Sequence, residues 1–203
     1  MVFFGNWESD NKIMESYLDK MNIVSGSDRN KLLYVNKKIG GSALFGTTWK
    51  SYVTPTKNRP PSTIFKGQFQ TKLVEDNPHM EFVFKEFANL YFPDFFYTQI
   101  QVNKNYRTPP HKDSMNVGES VLCAFGSYEG GLTAVDYGGT LTPGKWCFIN
   151  PRDKPCQFNG SKFTHYTQDW KGGNRYSLVF FNNIKNIEKK LINPEQILHN
   201  HIK

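Results

Sequence analysis

The residues best suited to chemistry in this sequence are His111 and Asp113, which one lysine separates. Side chains at alternate positions of an extended segment point to the same side, so an imidazole and a carboxylate can bind one metal ion there. A third ligand must come from a distant part of the chain, and His165 is the best candidate. Two histidines and one carboxylate on one side of Fe(II) leave open positions for dioxygen and a cosubstrate.

A second group of residues, just beyond His165, is suited to binding an anionic cosubstrate. Arg175 starts a predicted strand, and its planar guanidinium can hold a carboxylate through two parallel hydrogen bonds. The period of two in a strand places several side chains on the same face as Arg175: Ser177, Val179, Phe181 and Asn183. We therefore predict that Arg175 and Ser177 bind the far carboxylate of a 2-oxo acid that chelates the iron.

The pattern is specific only as a whole. His-x-Asp alone arises often by chance, and the alternative for His165 is a structural hydrogen bond at the end of a strand. A later histidine followed by Arg-x-Ser on a strand makes the metal interpretation much stronger. The other histidines are expected to be exposed, since they lie in a helix turn or the C-terminal tail: His79, His199 and His201.

The first half of the chain supplies the elements that would support such a site. An apolar stripe at helical spacing predicts a helix over 7–22, with Ser9 or Asp10 as its N-cap. A second helix is predicted over 77–92, where Pro78 suits the first turn. Residues 31–36 are predicted to form a strand.

The stretch 39–67 is rich in Gly, Thr and Pro and is predicted to be a long loop with one or two short strands. It interleaves aromatic rings with cations, which favours contacts with bases and phosphates of a nucleic acid. The alternative is an ordinary solvated loop that covers the core. The residues concerned are Trp49, Lys50, Tyr52, Lys57, Arg59, Phe65 and Lys66.

The second half of the chain is a series of short strands with turn signals between them. The predicted strands are 95–103, 121–126, 131–137, 145–149, 156–159, 163–166 and 175–182. This spacing predicts an α+β, mainly β fold: a double-stranded β-helix (jelly-roll, cupin-like) core over about 95–183 with flanking helices. Residues 1–94 would be helical and loop support, 184–203 a basic helical tail, and 1–203 one domain.

Composition bears on the partner and the compartment. The 203 residues carry a formal net charge of +7, which favours a polyanionic partner such as a nucleic acid. The alternative is that many Asn and Lys residues reflect an AT-rich genome, for example of a virus or protist.

Three cysteines without a Cys-x-x-Cys pair argue against a disulfide framework or a zinc module. Because no signal peptide or membrane span is evident, we expect a soluble intracellular monomer (cytoplasm or nucleus), with a viral or phage source in keeping with the composition.

With His111, Asp113, His165 and the Arg175–Ser177 pair, residues 95–183 resemble the 2-oxoglutarate/Fe(II) dioxygenase superfamily. The segment His-Lys-Asp-x-x-Asn, which ends at Asn116, is most similar to the ten-eleven translocation (TET) and J-binding protein branch. The resemblance implies an enzyme that uses Fe(II), 2-oxoglutarate and dioxygen to hydroxylate the 5-methyl group of a pyrimidine in DNA, either 5-methylcytosine or thymine. The chain lacks the Cys-rich zinc region of animal TET enzymes and is similar to the minimal forms of phages and protists.

The resemblance also implies two substrate-binding positions. In that branch the residue at Asn116 contacts the target base, and a second contact lies eight residues beyond the cosubstrate arginine, which here is Asn183. The family usually has His at the second position. An asparagine offers a donor and an acceptor to a base edge, although Asn116 could instead cap a turn. A base that reaches buried iron must leave the duplex.

The strand before the metal pair has a polar face that either lines a pocket or faces solvent: Tyr97, Gln99, Gln101 and Asn103. In many such enzymes this strand helps to hold the 2-oxo acid, so Asn103 and Arg107 are expected to bind the cosubstrate.

One alternative function is a 2-oxoglutarate-dependent hydroxylase of a protein side chain, of the prolyl or lysyl type, or of another nucleic acid. Prolyl and lysyl hydroxylases often carry Lys where this chain has Arg175. A binding module without activity is the third hypothesis, and the complete set of ligands argues against it.

Overall fold

The computed structural model describes residues 2–24, 40–53, 64–138 and 144–183. The helices are α1 (Trp7–Lys20), α2 (Lys72–Asp76) and α3 (Met80–Tyr91). The strands are β1 (Gly41–Val53), β2 (Ile64–Gln70), β3 (Gln99–Lys104), β4 (Asn116–Phe125), β5 (Tyr128–Gly130), β6 (Thr133–Asp136), β7 (Trp146–Ile149), β8 (Cys156–Phe158), β9 (Thr164–Thr167), β10 (Trp170–Gly172) and β11 (Tyr176–Asn183). The strand predicted over 31–36 and the tail 184–203 lie outside the described residues.

The strands form antiparallel sheets. The main sheet has six strands in the order β2-β1-β3-β11-β4-β8, and a smaller sheet has the order β7-β6-β9. Strands β10 and β5 pair separately. This mainly β architecture with flanking helices confirms the predicted fold class. No helix in the described part of the chain is long and apolar enough to cross a membrane.

The two faces of the main sheet have different roles, because side chains alternate along each strand. On one face, alternate residues of β3, β4 and β11 pack against α1 and α3 in the hydrophobic core, among them Val102, Cys123, Phe125, Leu178 and Phe180. On the other face, the intervening residues of β3 and β11 line a large cavity. The polar face of β3 therefore lines a pocket, which the sequence alone left open.

The N-cap of α1 differs from the predicted Ser9 or Asp10. Asn6 is the cap, and its Oδ1 accepts a hydrogen bond from the Ser9 N–H at 3.1 Å. Asp10 is fully buried and accepts hydrogen bonds from the backbone N–H of Gly5 at 2.9 Å and the Tyr91 hydroxyl at 2.7 Å. Its carboxylate therefore joins the N-terminal segment to α3 instead of capping its own helix.

The stretch 39–67, predicted as a long loop with one or two short strands, contains two strands in its described residues, and they are longer than predicted. Strand β1 has 13 residues, and it pairs with β3 through Gly41–Gly46 and with β2 through Thr47–Val53. Glycine and threonine suggested a loop, but partners on two sides hold this segment extended. The side chains of 49–53 and 64–68, and the cations Lys57 and Arg59, lie outside the described residues, so a nucleic-acid contact there stays a prediction.

Other boundaries also shift. The helix predicted over 77–92 is α3, which begins at Met80, and the short helix α2 just before it was not predicted. Between the two helices, the Asn77 side chain donates to the Leu73 carbonyl at 3.1 Å. Strand β4 begins at Asn116 and not at residue 121. The short pair β5 and β10 was not predicted, because three-residue strands carry too little periodicity.

Phe87 is the centre of an aromatic cluster between α3 and the sheet. It is fully buried, and its ring lies 5.3 Å from that of Phe3 and 5.5 Å from that of Phe125. We expect Phe87→Ala to lower the free energy of unfolding by about 3–5 kcal/mol, because a large buried ring leaves a cavity. Phe82→Ala on the same helix, where the ring is 55% exposed, should change it by less than about 0.5 kcal/mol. Urea denaturation of both variants measures this, and equal losses would contradict the packing described.

Candidate metal and cosubstrate site

The structure brings His111, Asp113 and His165 together, although more than fifty residues separate the first from the last. One ligand atom from each lies within 4.8 Å of the others. His111 Nε2 is 3.3 Å from Asp113 Oδ1, and His165 Nε2 is 3.6 Å from Asp113 Oδ2. The two imidazoles therefore face one carboxylate, in the arrangement that could hold a metal ion.

Backbone hydrogen bonds fix this arrangement. His111 and His165 form a β-bridge in which each N–H donates to the other residue's carbonyl at 3.0 Å. The Asp113 N–H donates to the Gly160 carbonyl at 2.9 Å. Strand β9, which contains His165, pairs with β6 in the smaller sheet. The loop with His111 and Asp113 is thus held on that sheet, next to the cavity.

The hydrogen bonds of the histidine rings fit a metal ion. Nδ1 of His111 is 2.8 Å from the Pro109 carbonyl, and Nδ1 of His165 is 3.1 Å from the Phe163 carbonyl. A carbonyl only accepts, so each Nδ1 carries the proton and each neutral ring keeps its lone pair at Nε2. Both lone pairs then face carboxylate oxygens. These groups are all acceptors and repel one another, so a cation between them would stabilise the arrangement.

The two histidines differ in their acid–base properties. Burial lowers the pKa of His165, and the neighbouring His111 lowers it further. Burial opposes the charged form of His111 as well, but the Asp113 carboxylate and the Pro109 carbonyl favour that form and raise its pKa overall. His165 is therefore held as the neutral imidazole that metal binding needs.

Gly160 lies against the metal ligands. A β-carbon at this position would be 2.7 Å from Asp113 Oδ2 and 3.3 Å from Cε1 of His165. We expect Gly160→Ala to weaken metal binding by about tenfold or more, because the carboxylate must move. Ser161→Ala, in the same turn, is the control and should bind metal normally. Titration with Fe(II) under anaerobic conditions compares them, and equal affinities would mean that the site tolerates the methyl group.

Arg175 is a buried cation in the same cavity. Its side chain is 2% exposed and stacks over the rings of Tyr128 and Trp170, at 5.6 and 5.5 Å from their centroids. Burial lowers its pKa. Its Nε donates to the Gly131 carbonyl at 3.3 Å, and in the described part of the chain no carboxylate pairs with it. A buried guanidinium without an anion is costly, so this position fits a bound carboxylate.

The backbone of Arg175 is held by Asn105, a buried residue with a positive φ of 49°. The Arg175 N–H donates to Asn105 Oδ1 at 2.9 Å, and the Asn105 N–H donates to the Arg175 carbonyl at 2.7 Å. This pair of hydrogen bonds fixes the residue just before β11. Arg175 itself is among the residues that line the cavity.

The predicted face of β11 lines the cavity as a whole: Arg175, Ser177, Val179, Phe181 and Asn183. Asn103 is buried beside Ser177, and its Nδ2 donates to the Ser177 hydroxyl at 3.2 Å. Arg107 is not brought to this group: its exposed side chain pairs with Asp169 at 3.0 Å on the surface. Asn103 thus lines the cavity, and Arg107 does not.

The cavity has a volume of about 1390 Å³ and extends from the metal ligands along β3 and β11 to β1. Asn116 and Asn183 lie together at one side of it, because they are directly paired across β4 and β11. The register of this pair shifts between Phe180 and Asn182, which sets the two asparagines opposite each other. Asn116 Nδ2 also donates to Asp113 Oδ2 at 3.2 Å.

Sequence reasoning missed four residues of the site: Ser42, Tyr128, Gly160 and Trp170. Ser42 and Gly160 lie in segments that were assigned to loops, and their neighbours come from distant strands. Tyr128 and Trp170 lie on the two short strands that were not predicted. The aromatic type of the last two was the only available signal.

Three solved structures are similar to this chain at low identity. NgTET1 in complex with 5mC DNA is 15% identical, covers 87% of this chain and 67% of that chain, and has a TM-score of 0.47. An oxidoreductase of the 2OG-Fe(II) oxygenase family from Burkholderia pseudomallei is 17% identical over 56% of this chain and 60% of that chain, with a TM-score of 0.39. A prolyl-4-hydroxylase from Pseudomonas putida is 10% identical over 90% and 89%, with a TM-score of 0.37.

No protein-family profile and no curated protein matches the chain. With TM-scores below 0.5 and identities of 10–17%, the structural matches carry no argument about activity or substrate. The geometry of the site is a two-histidine, one-carboxylate ligand set next to a buried arginine that pairs with no carboxylate among the described residues. The described site thus combines a ligand set that suits Fe(II) with a buried cation that could bind an anion.

Proposed function

We propose that the protein is an Fe(II)- and 2-oxoglutarate-dependent dioxygenase that hydroxylates the 5-methyl group of a pyrimidine in DNA. The observation that carries the proposal is the single cavity that contains the metal ligands, the buried Arg175 and the Asn116–Asn183 pair. These groups supply, respectively, a place for iron, an anchor for a dicarboxylate and a polar edge for a base. No other cavity in the described part of the chain combines them.

Each group has a separate task in this proposal. His111, Asp113 and His165 would hold Fe(II), which together with 2-oxoglutarate and dioxygen supplies the oxidising power for attack on a C–H bond. Arg175 and Ser177 would bind the far carboxylate of 2-oxoglutarate, so that its 2-oxo acid end points toward the metal ligands. The apolar side chains Leu122, Val179 and Phe158 line the same cavity and limit the access of water.

The pair of asparagines supports a base as the substrate. Each side chain offers a donor and an acceptor, which is the chemistry that reads the edge of a base. The net charge of +7 favours the DNA backbone as partner. A target base would have to be flipped or unpaired to enter the cavity. The site of reaction would be the 5-methyl group, as the resemblance of residues 111–116 to the TET and J-binding protein branch implies.

The direct test is incubation of the protein with Fe(II), 2-oxoglutarate and DNA that contains 5-methylcytosine, with thymine present in the same strands. Mass spectrometry of the digested DNA should detect an oxidised pyrimidine, in proportion to the succinate formed. Peptides containing proline and lysine are the parallel substrates. Succinate formation that follows the peptides, with no oxidised base, would replace the DNA substrate by a protein side chain.

Asn116 is the better test of base recognition, since its position matches the resemblance. We expect Asn116→Ala to lower kcat/KM for methylated DNA by roughly tenfold or more, because a well-made contact to a base edge is worth about 1–3 kcal/mol. Asn116→Leu keeps the approximate size of the side chain but removes its donor and acceptor without adding a charge beside Asp113, and it separates loss of contact from loss of packing. The 2-oxoglutarate affinity of both variants should stay unchanged, and its loss would assign Asn116 to the metal site through its contact with Asp113.

A further inference from the structure

A chain of buried hydrogen bonds crosses three strands behind the cosubstrate anchor. Gln101 Nε2 donates to the Ser42 hydroxyl at 3.1 Å, and the Ser42 hydroxyl donates to Asn103 Oδ1 at 2.6 Å. Asn103 Nδ2 then donates to the Ser177 hydroxyl at 3.2 Å. Ser42, Asn103 and Ser177 are all at most 7% exposed, which shields the two bonds among them from bulk water, whereas Gln101 is only partly buried. The chain connects β3, β1 and β11.

The direction of donation is the same at every step. Ser42 has one hydroxyl proton, and it goes to Asn103 Oδ1 while the Ser42 oxygen accepts from Gln101. The amide of Asn103 is thereby oriented with its NH₂ group toward Ser177. Hydrogen bonds in such a series polarise one another, which strengthens this orientation over the flipped one. The order of donors thus depends on Ser42, a residue that no sequence motif singles out.

This order decides what Ser177 can do. Its oxygen accepts from Asn103, and within the residues that the structure describes no group accepts its proton. The hydroxyl lies on the same cavity-lining face of β11 as Arg175. If the amide of Asn103 were flipped, Oδ1 would face Ser177 and take that proton. Ser177 would then present an oxygen, and no donor, to an anion in the cavity.

We propose that Ser42 and Asn103 are positioning residues that keep Ser177 a hydrogen-bond donor to the far carboxylate of the cosubstrate. The inference rests on the proposed function, because it takes 2-oxoglutarate as the anion beside Arg175. Ser42 touches neither the iron ligands nor, in this proposal, the cosubstrate. It acts through Asn103, and its effect should appear only for ligands that have a second carboxylate.

The test compares Ser42→Ala with Ser42→Thr, which keeps the hydroxyl. Calorimetry under anaerobic conditions, with the Fe(II)-loaded protein, gives the affinity for 2-oxoglutarate and for pyruvate, a 2-oxo acid without the second carboxylate. We expect Ser42→Ala to weaken 2-oxoglutarate binding by about tenfold, the size of a lost hydrogen bond to a charged group. Pyruvate binding should stay the same, and Ser42→Thr should bind both ligands like the unsubstituted protein.

A double-mutant cycle with Ser177→Ala makes the test independent of folding defects. Because Ser42 is proposed to act through Ser177, Ser42→Ala should have no further effect on 2-oxoglutarate affinity once Ser177 is alanine. Asn103→Asp is the second variant: it presents only acceptors to Ser177, and it should weaken 2-oxoglutarate binding more than pyruvate binding.

Two results would overturn the inference but leave the proposed function intact. In the first, the Ser42→Ala variant binds 2-oxoglutarate normally. In the second, it loses affinity for 2-oxoglutarate and pyruvate equally. Additive losses in the double variant also overturn it, since they would mean that the two serines act separately. If the unsubstituted protein binds Fe(II) but no 2-oxoglutarate, the proposed function fails together with the inference. The two failures are therefore distinguishable.

Discussion

Asp113→Ala is expected to remove Fe(II) binding and all 2-oxoglutarate turnover, the largest effect of any substitution in the chain. Asp113 is the carboxylate that both imidazoles face, at 3.3 and 3.6 Å. Its loss leaves two neutral histidines, which bind Fe(II) weakly without an anionic ligand. Loss of a group that merely supports a ligand costs about 10–100-fold in metal affinity, so removal of the ligand itself should cost more. Titration with Fe(II) under anaerobic conditions measures the change.

His79→Ala is the matched control for the histidine ligands. His79 is exposed just before α3, whereas His165 is buried in the site. We expect His165→Ala to lose Fe(II) binding as Asp113→Ala does, and His79→Ala to keep it. Thermal unfolding of each variant shows whether the fold is retained. Normal iron affinity in a folded Asp113→Ala variant would disprove the metal site.

Arg175→Lys is expected to raise the KM for 2-oxoglutarate by about 10–100-fold while it leaves Fe(II) affinity unchanged. The substitution keeps the charge but removes the planar fork that binds both oxygens of a carboxylate. Each hydrogen bond to a charged group is worth about 1.5–3 kcal/mol, and a lysine reaches fewer of them. Steady-state kinetics of succinate formation, with the 2-oxoglutarate concentration varied, measures the effect.

Arg107→Lys provides the comparison for the arginine anchor. Its side chain is about half exposed and pairs with Asp169 on the surface, where a lysine can replace it at little cost. We expect its KM for 2-oxoglutarate to match that of the unsubstituted protein. A raised KM in Arg107→Lys with a normal KM in Arg175→Lys would contradict the assignment. Arg107, which does not line the cavity, would then be the residue that binds the cosubstrate.

Much of the site could be predicted because its signals are local. The pair at His111 and Asp113 follows from residue types at a spacing of two. The cavity-lining face that includes Arg175 and Ser177 follows from strand alternation, which the structure reproduces residue by residue. The mainly β fold follows from short apolar segments between turn residues. Both signals can be read from neighbouring residues, without knowledge of which strands pair.

The remaining features depend on contacts between distant parts of the chain. Strand β1 was taken for a loop because its glycines and threonines carry little apolar periodicity, and its extended form comes from its partners β2 and β3. The role of Ser42 depends on its register opposite Asn103, which no sequence spacing indicates. The need for glycine at 160 arises only where the Asp113 carboxylate approaches it.

The reciprocal backbone bridge between His111 and His165 has a consequence for how the protein acquires and loses its metal. Two of the three ligands are joined by main-chain bonds that do not involve the ion, so little chain entropy is lost when iron enters. Such a site is preorganised, unlike zinc fingers, which unfold without their ion. A chelator should therefore empty the protein reversibly, with the amides of both histidines still protected from hydrogen exchange in the apoprotein.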